Sequence, residues 1–124
     1  MIDISIDKPF LLIAIGLTTA LFVFGGQSWS AGLGARVPHG HWFVHFSSFA
    51  IIAVSCAKAL PRTHVFMIAC LAATVGGLHE LFQALTPAHD AELEDFLVNA
   101  AGAVFGALAF RLLLALLQRV PRAS

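Results

Sequence analysis

Four apolar runs alternate with short polar breaks along the chain, at about residues 9–26, 42–60, 64–85 and 95–117. Each is close to the roughly 20 apolar residues that a helix needs to cross a hydrocarbon core about 30 Å thick. Proline punctuates the pattern. Pro9 stands where a helix start tolerates it, Pro61 and Pro87 stop the second and third runs, and Pro121 follows the fourth. The breaks fall at 27–41, 61–63 and 86–94. The pattern predicts an all-α, integral membrane four-helix bundle, one domain spanning residues 1–124. A cleaved signal peptide fits the first run poorly: Asp3 and Asp7 accompany a single Lys8 where a basic segment belongs. A retained helix is expected.

Basic residues give the runs a direction. Lys8, Lys58, Arg62, Arg119 and Arg122 fall before the first run, around the second break and after the fourth run. Arg111 lies inside the fourth run and can snorkel toward the same side. Only Arg36 lies in the first or third break. Because Lys and Arg gather in cytoplasmic loops, both termini are predicted to be cytoplasmic. The third break, with Asp90, Glu92 and Glu94, is predicted to be external, and the size of the bias argues against a dual topology.

Polar residues inside the runs then converge on one end. Glu80 lies about five residues before the outer end of the third run, roughly 7 Å deep at 1.5 Å per residue. His45 enters the second run from that side, and Asp95 and Asn99 open the fourth. Helical spacing sorts the faces. Gly76, Glu80 and Gln83 share one stripe with Ala69, Ala72 and Ala73. Asp95, Asn99, Gly102 and Gly106 share another, and His41, His45, Ser48, Ile52 and Ser55 line the second run. Small residues let membrane helices approach, so the stripes are expected to face one another, and Gly102→Leu is expected to part the third and fourth helices. An intramembrane carboxylate defaults to function, although Gln83 and Asn99 would also serve as structural glue. Asp95 stands where a helix N-cap belongs.

Composition sets limits on function. The chain is 59% hydrophobic and 11% charged, against about 25% charged in a soluble domain. Its formal net charge is +0, which removes the electrostatic case for nucleic acid. Cys56 and Cys70 lie in apolar runs without metal-type spacing and read as two buried thiols. Trp29 and Trp42 read as interfacial anchors. His79-Glu80 followed by Gln83 departs from a zincin HExxH at its second histidine. A composite site from His41, His45, His79, His89 and the carboxylates would suit zinc, but His39, His41 and His89 equally fit solvated loops. No metal or cofactor is assigned on this pattern.

Glu80-x-x-Gln83, then Pro87, then Asp95-x-x-x-Asn99-x-x-Gly102 resembles the signature of VanZ-like membrane proteins, and His45-Phe46 resembles that family's His-Phe element. The resemblance runs from about residue 41 to 108. Two positions depart from it. His41 and Trp42 stand where the family usually has Asp-Lys, and His89 stands where it often has Arg after the proline. If relatives bind an anionic group there, this chain is expected to bind something else, or to bind in a pH-dependent way. The resemblance implies a bacterial inner-membrane protein of a family whose founding member is associated with teicoplanin resistance.

Three functions compete. The first is a binding or protective role at the outer leaflet, with His45, Glu80, Gln83, Asp95 and Asn99 holding a lipid headgroup, a lipid-linked envelope precursor or a lipophilic glycopeptide antibiotic. Membrane lipids are its expected partners. The second is an intramembrane hydrolase or transferase, metal-assisted or not, using Glu80 or Asp95 with His45. The third is a small proton-coupled transporter cycling a proton on Glu80, which as four helices would have to form a homo-oligomer. The first ranks highest.

Overall fold

A computed structural model describes residues 6–25, 39–87, 90 and 92–119. It contains four helices: α1 (Lys8–Gly25), α2 (Gly40–Ala59), α3 (Val65–Ala84) and α4 (Leu93–Gln118). All four are long and apolar enough to cross a membrane, and no strand occurs among the described residues. The architecture is that of an all-α, multi-pass membrane protein. Large apolar side chains such as Leu12, Phe43, Phe66, Met67, Leu85 and Leu112 point outward. In water such a girdle would be an extended sticky surface; toward lipid it is a solvated one.

The interior sets a few large side chains among alanines. Phe49, Ile52, Ala53, Ala57, Ile68, Ala72, Ala103 and Ala107 form the core. α2 is the central helix and packs against the other three, most extensively against α4, whereas α1 touches α2 and α3 but not α4. α1 buries only Ala14, so it lies at the edge of the bundle.

Glycine sets the closest approaches. A Cβ on Gly102 would collide with Phe46 O and lie 3.0 Å from its Cα. A Cβ on Gly106 would collide with Ala50 O and lie 2.8 Å from its Cα. The two glycines and the two carbonyls are each one turn apart, so α4 rests backbone to backbone on α2. This corrects the expectation that Gly102 lies between the third and fourth helices, so that Gly102→Leu would part those two. The α3–α4 approach depends instead on Gly76, where a Cβ would lie 3.0 Å from Asn99 Cβ.

The ends of the bundle are tied differently. At one end, Asp7 N donates to Ala59 O at 2.8 Å, and Lys58 Nζ lies 3.7 Å from Asp7 Oδ2, which anchors the start of α1 to the close of α2. Pro61 ends α2, and His64 caps α3 by accepting the Phe66 N–H at its Nδ1. Arg111, one helix away, donates to Leu60 O at 3.2 Å, Pro61 O at 2.8 Å and Thr63 O at 2.8 Å. All three carbonyls belong to the turn between α2 and α3, where Leu60 O also accepts the Thr63 N–H at 3.0 Å. Arg111→Leu is expected to lower stability by about 1.5–3 kcal/mol, the range for hydrogen bonds to a charged group, read as a lower melting temperature in detergent. Arg111→Lys, which lacks the planar fork, should recover only part. A melting temperature unchanged in Arg111→Leu would show that the clamp contributes nothing.

Two expectations from the sequence are corrected. Cys70 is exposed on the outer face of α3 and Cys56 is only partly buried, because α3 turns its alanine stripe inward and leaves Cys70 toward lipid. Asp95 is not the cap of α4. Glu92 occupies the N-cap position, without a capping hydrogen bond, and Asp95 sits in the first turn, buried. Trp29, Arg36 and His89 lie outside the described residues.

Candidate functional site

At the opposite end from Arg111, the close of α1, the start of α2, the close of α3 and the start of α4 meet. Alternating helix directions bring residues distant in sequence to one depth, and the small-residue stripes let their polar neighbours touch. Asn99 is the hub and is fully buried. Its Nδ2 donates to Glu80 Oε1 at 2.9 Å, and its Oδ1 lies 2.8 Å from His45 Nδ1. An ionised carboxylate only accepts, so the amide nitrogen must face Glu80. The amide oxygen is then left for His45, whose Nδ1 carries a proton in this arrangement.

Around that hub, imidazoles and carboxylates alternate. His41 Nε2 lies 3.7 Å from Asp95 Oδ1, and His45 Nε2 lies 3.6 Å from Asp95 Oδ2. His45 Nδ1 is 3.6 Å from Glu80 Oε1, which in turn is 3.7 Å from His79 Nδ1. Side-chain exposure drops from 43% at His41 to 12% at Asp95 and 13% at His45, then to 7% at Glu80 and 2% at His79. The series therefore leads from the rim into the bundle.

His79 terminates it among aromatic rings. Phe22 meets it edge-on at 5.4 Å, with Phe49 at 6.2 Å and His45 at 5.9 Å between centroids. Among the described residues neither ring nitrogen of His79 has a hydrogen-bond partner, and Glu80 Oε2, Asp95 Oδ1 and Trp42 Nε1 are likewise buried without one. Most buried polar groups find a partner, so this concentration of open valences is unusual.

The sequence placed His45, Glu80, Asp95 and Asn99 together, and the structure brings these four into one network. Gln83 is buried beside them but turns away, donating from Nε2 to Gly25 O at 3.2 Å. His41 joins at the rim. The contribution of α1 was not foreseen. Gly25 runs so close to His79 that a Cβ there would lie 2.6 Å from Nε2. The depth of His79 did have a signal, since it follows Gly76 by three residues and precedes Gln83 by four, which is stripe spacing. On the outer face of α3 and α4, an open apolar groove of about 600 Å³ runs past Gly77, Leu78, Leu81 and Phe96.

Chemically, the cluster offers two carboxylates, three imidazoles and an amide within a few ångströms. It can accept and donate hydrogen bonds, transfer protons or ligate a cation. Compared with protein-family models, with curated proteins and with solved structures, the chain matches none. Function is therefore read from the site itself.

Proposed function

We propose that this chain is a small VanZ-like protein of the bacterial inner membrane that binds the polar head of a lipid-like molecule at the outer leaflet, in a protective role. The ligand class is a lipid headgroup, a lipid-linked envelope precursor or a lipophilic glycopeptide antibiotic. The observation that carries the reading is the set of buried polar atoms beside Asn99 that no described residue satisfies: Glu80 Oε2, Asp95 Oδ1 and both nitrogens of His79. A network serving packing alone would be closed, because each unsatisfied buried group costs about 1–3 kcal/mol. Rim exposure at His41 supplies an entrance, and the apolar groove past Leu81 and Phe96 suits an acyl chain.

Native mass spectrometry of the detergent-solubilised protein tests this. A defined co-purified lipid on the wild type, lost in Glu80→Gln at unchanged melting temperature, is the expected result. Equal lipid retention in both proteins would overturn it. Orientation is tested on intact cells with an impermeant thiol reagent and Thr86→Cys, in a background lacking Cys56 and Cys70. Labelling only after the membrane is opened would move the site to the cytoplasmic leaflet.

A hydrolase or transferase is the second reading, favoured by His45 standing between Glu80 and Asp95. No serine or cysteine is in hydrogen-bonding contact with His45 in the described network. The nucleophile in that case would be water, and its mark would be turnover of the co-purified lipid that stops in His45→Gln.

A further inference from the structure

We propose that His45, His79 and Glu80 form a binding site for a divalent transition-metal ion of zinc-like chemistry. Their ligand atoms all lie within 4.8 Å of one another. The separations themselves point to a metal. Glu80 Oε1 stands 3.6 Å from His45 Nδ1 and 3.7 Å from His79 Nδ1. Both exceed the 2.7–3.2 Å typical of an N–H···O hydrogen bond. They are close to the edge of a tetrahedron around a metal with bonds of about 2.0–2.1 Å, which is about 3.4 Å. A small inward movement of the three side chains would close the site.

Burial supports the site independently of spacing. His79 is 2% exposed, and among the described residues both of its ring nitrogens are without a hydrogen-bond partner. A histidine kept only for packing between Phe22 and Phe49 would be better replaced by a third aromatic ring, since burying an unpaired polar group is costly. A cation ligated at Nδ1 resolves the open nitrogen facing Glu80.

The surroundings match a metal-ligating histidine. With His45 bound through Nδ1, its proton moves to Nε2, which faces Asp95 Oδ2 at 3.6 Å. A carboxylate behind the far nitrogen is the usual support for such a ligand. The exchange of tautomers releases no proton overall, and Asn99 Oδ1, 2.8 Å from Nδ1, is left without its donor and stands beside the fourth position. Gln83, the residue that breaks the HExxH pattern, is engaged with Gly25 O. The second imidazole comes instead from α2. The site does not depend on the headgroup reading, because a metal here could serve packing, catalysis or ligand capture.

The experiment is metal analysis of the full chain, purified in detergent without a histidine tag or chelator. About one zinc per chain is expected by mass spectrometry of the elements. After stripping, one zinc should rebind in competition with a chromophoric chelator. Cobalt should give the visible absorption of a tetrahedral site. His79→Phe keeps the ring packing and removes the nitrogens, so it should weaken zinc more than about 100-fold, beyond the 10- to 100-fold typical of losing a supporting residue. His41→Ala should leave zinc bound. Neither zinc nor cobalt binding in the wild type, or equal binding in His79→Phe, would overturn the proposal. Loss of zinc in His41→Ala but not in His79→Phe would overturn it too, placing the ion at the rim group of His41, Glu92 and Asp95 instead. Lipid retention measured on the stripped wild type keeps this result separate from the ligand reading.

Discussion

Gly106→Ala, a single added methyl group, is expected to destabilise the bundle by about 1–3 kcal/mol, the usual cost of overpacking a tight interior, and Gly102→Ala by a similar amount. The methyl group has nowhere to go. At Gly106 it would meet the Ala50 carbonyl and stand 2.8 Å from Ala50 Cα; at Gly102 it would meet the Phe46 carbonyl. These neighbours are helix backbone, which cannot rotate aside as a side chain can, so α4 must move off α2. The change would also draw Asn99, one turn from Gly102, away from His45. Gly102→Leu should prevent folding to the native packing. Gly16 provides the control, because nothing lies within 4 Å of a Cβ there and Gly16→Ala should melt like the wild type. Thermal unfolding in one detergent compares all four variants with the wild type. Wild-type melting in Gly102→Ala and Gly106→Ala would show that the α2–α4 contact is looser than described.

The same pair of glycines marks how far the sequence could be read. Span limits were legible to within about two residues: the runs at 9–26 and 64–85 become Lys8–Gly25 and Val65–Ala84. Bilayer thickness fixes the length of such a run, and Pro61 and Pro87 punctuate it. The stripes were legible because helical period orders residues around a single axis. Which stripe meets which was not. A row of small residues records only that some helix comes close, and Gly102 with Gly106 receives α2 rather than α3. Asp95 was legible as a member of the polar stripe but not by its place in the helix: an acidic residue near a helix start satisfies the rule for a cap, and nothing local says that α4 begins at Leu93 with Glu92 in the N-cap position. His64 shows the converse, a histidine occupied by capping α3. Gly25 was invisible as a participant, because a backbone carbonyl carries no signature in the sequence.

Exchanging the acid and the amide of the central pair should separate packing from function. Asn99→Asp is expected to be among the most destabilising changes in the chain. It places a second carboxylate where Nδ2 now donates to Glu80 Oε1 at 2.9 Å, and two carboxylates that close cannot both ionise. The cost should be in the range of about 3–5 kcal/mol seen when a buried charge loses its partner. Adding Glu80→Gln should then restore most of the stability. The amide introduced on α3 can donate to the carboxylate introduced on α4, and that carboxylate can still accept from His45 Nδ1. The network closes with the same number of charges and nearly the same volume. A double-mutant cycle on melting temperatures measures this coupling, since the two sites are in contact and should not be additive. Ligand retention follows a different course. The carboxylate now projects from α4 instead of α3, and Glu80 Oε2, one of the open atoms of the site, no longer belongs to a carboxylate. The refolded double variant should therefore remain blind to its lipid-like ligand. Stability that does not recover would show that Asn99 and Glu80 are not the coupled pair described, and ligand retention that recovers with it would reduce the cluster to interhelical glue.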